Sequence, residues 1–212
     1  MPPWKPEEKW KGKDVFIIGG GLSLEKFDWK LLFNELTIGC NTAFALGESV
    51  CKICIFGDYK WFKIFENELA TYKGIVFTSN PKLYRNKLPW LWTMMRIGKG
   101  LSHTALGHNL NTGSEAINLA LILGVKRVFL LGFDMHLSKE GRSNWHKRTI
   151  TPPNAKAYLK FIKGFESVAT DLKEKFPDRQ IINITDDSSL NMFPKIGVKQ
   201  FWKERSNHVS LG

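Results

Sequence analysis

The chain has 212 residues, long enough for one sizeable core, and its 43% hydrophobic and 24% charged content is ordinary for a globular protein. No apolar run approaches the roughly 20 residues that span a bilayer, and no apolar stretch of signal-peptide type follows Met1-Pro2-Pro3-Trp4-Lys5, so a soluble, cytoplasmic protein with no transmembrane segment is expected. The net charge of +11 predicts attraction to polyanions, whether nucleic acid, an anionic membrane face or phosphorylated small molecules, against the plainer reading of a solubilising surface.

The first element is the most telling. Val15-Phe16-Ile17-Ile18 runs into Gly19-Gly20-Gly21 and then Ser23, a strand ending in a glycine turn. Such a turn before a helix lets backbone amides approach an anion at the helix N-terminus, so Gly19, Gly20, Gly21 and Ser23 are candidate phosphate ligands. The full dinucleotide fingerprint is not met, because Leu24 stands at its last glycine position. Further along, strands are expected at 14–18, 36–40, 52–57, 74–78, 126–132 and 179–184, with helices at 23–34, 59–70, 112–124 and 154–176. The last helix carries one apolar stripe through Phe161, Phe165 and Leu172, between Pro152-Pro153 and Pro177. This alternation predicts a single doubly wound α/β domain with a mostly parallel sheet. Residues 80–111, rich in Pro, Trp, Met and Gly, read as a lid or substrate insertion, or else an irregular packed connection; 134–153 is a second polar stretch.

The three cysteines do not suggest a disulfide scaffold. Cys51-Lys52-Ile53-Cys54 has redox or zinc spacing, but no second pair accompanies it, and residues three apart on a strand face opposite ways, so buried thiols are expected. Basic residues gather at Lys5 to Lys13, at Lys52, Lys60 and Lys63, at Lys82, Arg85, Lys87, Arg96 and Lys99, from Arg142 to Arg148, and from Lys195 to Arg205. In the last group Phe201 and Trp202 lie among cations, which suits either an anionic surface or a C-terminal helix packed by its aromatics.

Ligands of open α/β sheets bind beyond the strand carboxyl ends. There the sequence offers Asn41, Asp58, Ser79 and Asn80, then Asp134 and His136, then Asp186 to Ser189. Asp58 and Asp134 suit a metal, a ribose or base catalysis, and equally the capping of the next segment. Thr112 to Glu115 fits a capping box, and its start leaves amides for a second anion at Thr112, Gly113 and Ser114. His146, after Trp145, suits proton transfer from an acceptor hydroxyl, with a plain surface histidine as the alternative. His103, His108 and His208 share no metal-ligand spacing.

Taken together and in order, the glycine turn with Ser23, Cys40-Asn41, Phe56-Gly57-Asp58, Asn111-Thr112-Gly113-Ser114, Leu131-Gly132-Phe133-Asp134-Met135, Trp145-His146 and Asn183 through Pro194 resemble a phage and bacterial family related to the archaeal 6-hydroxymethylpterin diphosphokinase (MptE-like) proteins. More distantly the set is similar to the bacterial sialyltransferases of glycosyltransferase family 42. The resemblance implies a Rossmann-like nucleotide-binding fold. By analogy with the sialyltransferases, Gly20, Gly21 and Asn41 would hold the donor nucleotide, Thr112, Gly113 and Ser114 would line its site, and His146 would be the general base. By analogy with the diphosphokinases, the ligand would be ATP with magnesium, with Asp58 and Asp134 on the metal side. Lys147-Arg148-Thr149 stands where related phage sequences carry Gly-Asp-His, and no tyrosines match those that grip the sialyl donor phosphate, so Lys147 and Arg148 are the substitute cations.

Three functions follow as expectations. The first is a nucleotide-sugar-dependent transferase in which His146 or Asp134 deprotonates an acceptor hydroxyl, Arg142, Lys147 and Arg148 stabilise the leaving phosphate, and the acceptor is DNA or a nucleotide. The second is an ATP- and magnesium-dependent diphosphokinase acting on a small heterocyclic alcohol. The third is a non-catalytic module that binds nucleic acid or a membrane surface.

Overall fold

A computed structural model describes residues 9–84, 88–150, 152 and 154–209, with side chains through Ser206. Lys5, Arg85, Lys87, Pro153 and the side chain of His208 therefore lie outside the described residues. The main sheet holds β1 (Asp14–Ile18), β2 (Thr37–Cys40), β3 (Ile53–Phe56), β4 (Ile75–Thr78), β5 (Leu91–Thr93), β8 (Arg127–Leu131) and β9 (Gln180–Asn183), all parallel, in the order β5-β4-β3-β2-β1-β8-β9. A separate two-strand parallel ladder pairs β6 (Arg96–Ile97) with β7 (Leu106–Gly107). The helices are α1 (Tyr59–Ala70), α2 (Thr112–Ile122), α3 (Ala155–Lys175) and α4 (Val198–Val209). This is the expected doubly wound α/β architecture with a Rossmann-like parallel sheet.

Alternation along each strand feeds two cores, as a sheet covered on both faces requires. Val15 and Ile17 join the cluster under α2 and α3, which holds Ile117, Phe165 and Val168. Phe16 and Ile18 join the opposite cluster, with Trp61, Phe62 and Phe65 of α1 and Phe201 of α4. From Ser114 to Ile122 every residue of α2 is buried, so this helix is apolar around most of its circumference and lies inside the molecule.

The helix expected at 23–34 does not form. Two short 3-10 turns, Leu22–Leu24 and Trp29–Leu32, replace it. They bury only Leu24 and Leu32, too few apolar anchors to fix a continuous helical face, and Asp28 caps the second by accepting from Lys30 N at 3.1 Å. Residues 80–111 lay down the short edge strand β5, the small ladder and the buried side chains Met94, Leu101 and Leu106. Cys51 and Cys54 face the same cluster, because Cys51 sits in the turn before β3 where strand alternation does not apply. Burial pushes both thiols up, Cys51 to about 11.

The C-terminal aromatics are spent inside. Trp202 stacks on Phe16 with ring centres 5.3 Å apart, and Phe201 packs against Phe129 at 4.7 Å. Arg205 fixes the helix, donating to both Glu35 oxygens at 2.8 and 2.9 Å and to Asp14 at 3.1 Å. Among the described residues, no helix is long and apolar enough to cross a membrane.

Candidate functional site

From β1 the chain runs outward through β2, β3, β4 and β5, then returns to lay β8 on the other side of β1. The loops after β1 and β8 therefore diverge, and the crevice between them is the topological switch point where such sheets bind ligands. The two loops nearly touch. Gly21 N donates to Gly132 O at 2.8 Å, and a Cβ on Gly21 would run into Asp134 Oδ1 and stand 2.6 Å from Gly132 O. Gly132 itself turns through a φ of +70°, a conformation glycine adopts freely.

That closeness sets the role of Asp134. Ser23 donates its amide to Oδ2 at 2.9 Å and its hydroxyl to Oδ1 at 2.6 Å. The carboxylate thus occupies the anion position of the glycine turn, and no helix opens there to supply further amides. Ser23 is thereby turned to Asp134 and is not part of the wall described next.

Below the loops lies a hollow of about 620 Å³, lined by Gly19, Gly20 and Gly21, Asn41, Gly57 and Asp58, the start of α2, the loop 143–150 and the start of α3. It gathers Asn41, Thr112, Gly113, Asp134, His146 and Arg148 from four different segments. Asp58 caps α1, its Oδ1 accepting from Lys60 N at 2.6 Å and Trp61 N at 3.0 Å. The α2 cap is Asn111, which accepts from Ser114 N at 2.7 Å. The expected capping box from Thr112 to Glu115 is therefore displaced by one residue, and Glu115 turns inward. Helix geometry leaves the Thr112 and Gly113 amides without intrahelical acceptors, and they stand on the wall of the hollow.

The loop 143–150 is pinned by Trp145, whose amide donates to Gly20 O at 3.0 Å and whose indole donates to Gly19 O at 3.1 Å. This holds His146 half-buried on the wall. Burial, and then the nearby Arg148 charge, hold its imidazole below the ordinary histidine value. Its Nδ1 is buried with no hydrogen-bond partner among the described residues. Arg148 pairs with Glu68 at 2.6 Å across the rim, Arg142 pairs with Glu25 at 2.7 Å away from the wall, and Lys147 is exposed outside it.

Ser79, Asn80 and Ser114 are buried and do not line the hollow. Asn80 donates to Gly57 O at 2.7 Å, and Ser114 Oγ donates to His108 O at 2.7 Å. Ser79 Oγ donates to Glu115 Oε1 at 2.5 Å, in a cluster with Arg96 and His108. His108 lines the hollow, and metal spacing gave no reason to select it. The signal that finds it is its position just before the α2 cap, seven residues from a glutamate inside an apolar helix. Among the described residues no group of three His, Cys, Asp or Glu side chains is arranged to hold a metal ion.

No protein-family profile matches the chain, and no curated protein matches it by sequence. The likeness to the MptE-like group therefore rests on the ordered motifs alone. A similar solved structure is the MAf glycosyltransferase from Magnetospirillum magneticum AMB-1, with a TM-score of 0.65 and 12% identity. The match covers 93% of this chain and 35% of that one, so this chain corresponds to a part of the larger protein, and what the two share is the fold.

Proposed function

We propose that the chain is a glycosyltransferase-like enzyme that takes a nucleotide-sugar donor in the switch-point hollow. The observation that carries the reading is the wall itself: the free amides of the α2 start and the Arg148 guanidinium border one volume with Asn41 and the glycine turn. Helix N-termini and guanidinium groups both recognise phosphate, and a volume of about 620 Å³ is of the size that small-ligand sites take. The fold shared with a glycosyltransferase supports the same reaction class. In this reading the donor phosphate sits at Thr112 and Gly113, Arg148 stabilises the leaving nucleotide, and an imidazole on the wall takes the proton of the acceptor hydroxyl. The resemblance assigns that proton to His146. A DNA or nucleotide hydroxyl as acceptor is part of the proposal, and the +11 charge supports it.

The diphosphokinase alternative asks Asp58 and Asp134 to face a metal ion. Asp134 spends both oxygens on Ser23 and Asp58 spends one on its cap, which favours recognition through amides and cations. The surface-binding alternative loses its aromatic anchors, since Phe201 and Trp202 pack on the sheet.

A melting screen against CMP-, UDP- and GDP-sugars and ATP, with and without magnesium, tests the reading. A donor at 100 times its dissociation constant stabilises by about 2.7 kcal/mol, roughly 5–11 °C for a chain of this size. A shift with a nucleotide sugar that survives chelation is expected. A shift with ATP that needs magnesium, or none with any nucleotide, overturns it. Binding to DNA that weakens with salt is expected of the nucleic-acid acceptor, and its absence removes that part alone.

A further inference from the structure

The floor of the hollow hides a carboxylate that the functional reading has not used. Glu115 is fully buried in α2, and its Oε1 lies 2.7 Å from His108 Nδ1, 2.5 Å from Ser79 Oγ and 3.3 Å from an Arg96 nitrogen. Arg96 provides the countercharge that a buried carboxylate requires. Its other oxygen, Oε2, has no hydrogen-bond partner among the described residues and sits just under Gly57, where a Cβ would stand 3.1 Å away. Gly57 and His108 both line the hollow.

From this arrangement we infer that His108, oriented by Glu115, is the general base of the reaction. The inference rests on the transferase reading and moves the proton transfer from His146 to His108. A carboxylate accepts and does not donate, so the pair fixes the proton on Nδ1 and leaves Nε2 as the ring nitrogen with a free lone pair. Its side chain keeps 26% of its surface open, on the wall beside the α2 start. In the backbone that follows, Asn109 and Leu110 both adopt left-handed conformations, with φ of +46° and +62°, uncommon for a leucine. Asn109 is locked there by donating to Gly100 O at 2.9 Å and accepting from Gly100 N at 2.7 Å.

The two imidazoles differ where a base needs them to. At His108 a carboxylate oxygen meets Nδ1 directly and orients the ring. At His146 burial and Arg148 disfavour the protonated ring, and Nδ1 has no hydrogen-bond partner among the described residues. In the step itself the acceptor O–H proton passes to His108 Nε2 as the acceptor oxygen bonds the anomeric carbon of the sugar. The bond from that carbon to the phosphate oxygen breaks, the leaving nucleotide keeps the electron pair, and the imidazolium then returns its proton to water. His108 is the catalytic residue and Glu115 a positioning residue.

The test follows nucleotide release from CMP-, UDP- and GDP-sugars by the full chain and by H108Q, H108G, E115Q and H146Q. Loss of about 10²–10⁴-fold in turnover is expected for H108Q with the donor's melting shift retained. Added imidazole should restore turnover to H108G, which a merely structural ring would not allow. E115Q should slow turnover with little change in KM, and should abolish the downfield His108 Nδ1–H proton resonance that wild type and H146Q retain. That resonance reads the pair even where E115Q is too unstable for kinetics. H108Q turning over within about threefold of wild type, or a wild-type spectrum lacking the resonance, overturns the inference. A wild-type chain that binds no nucleotide sugar and releases no nucleotide removes the transferase reading and the base with it.

Discussion

Asp134 is a candidate base by sequence and a clamp by structure, and two substitutions separate the roles. The residue is 6% exposed, and its carboxylate accepts from the Ser23 amide at 2.9 Å and the Ser23 hydroxyl at 2.6 Å, tying the loop after β8 to the loop after β1. A hydrogen bond to a charged group contributes about 1.5–3 kcal/mol, and a buried donor left unpaired costs about 1–3 kcal/mol. Asp134→Ala removes both bonds and strands the Ser23 donors, a loss of about 3–4 kcal/mol once water reaches part of the site. Asp134→Asn keeps the shape. Its carbonyl oxygen accepts from the Ser23 amide, and the Ser23 hydroxyl rotates to accept from the new NH2, because a hydroxyl does both. Only the charge assistance goes, about 1 kcal/mol. At roughly 2–4 °C per kcal/mol the alanine variant should melt about 6–16 °C lower and the asparagine variant about 2–4 °C lower. Calorimetry and urea titration with unchanged slope measure both. Equal losses in the two variants would refute the clamp, and an asparagine variant of near-normal stability but without turnover would return Asp134 to catalysis.

Three further outcomes follow from the same geometry. Because the folded state lowers the His146 value, the unfolded chain binds the proton more readily; the stabilisation is present above the unfolded value and is lost as pH falls through it toward the folded one. Wild type should therefore lose more stability than His146→Gln between pH 7.5 and 5, read as urea midpoints, and an equal loss would contradict the burial argument. Gly21→Ala forces a methyl group onto the Asp134 carboxylate and Gly132 O, and should cost about 1–3 kcal/mol and loosen the Ser23 clamp, seen as faster amide exchange at Ser23. Arg205→Met removes the ion pairs to Glu35 and Asp14 but leaves Phe201 and Trp202 packed, so a loss of about 1–2 kcal/mol is expected with the far-ultraviolet helical signal retained. A drop in helical signal would mean that α4 depends on the pairs more than on its aromatics.

The strands and the long helices were legible because burial on both faces demands uninterrupted runs of Ile, Val, Phe and Leu, and because α1 and α3 carry their caps and stops in sequence. β5 was not legible, since a strand of three residues after Pro89 gains its identity only by pairing with β4. The collection of polar residues at one end of the sheet was also readable, as period and connection direction place every strand's carboxyl end on the same side.

What the sequence by itself determined, then, is the layered α/β fold and a set of candidates along one sheet edge, because pattern and propensity are local. Which candidates meet was decided only by tertiary structure. The strand order brings Gly21 against Gly132 and so spends Asp134 on Ser23, the crossover back to β8 opens the hollow beneath them, and a one-residue shift of the α2 cap turns Glu115 inward onto His108. Contacts between residues 36 or 111 positions apart depend on register and crossing, which no window of sequence contains.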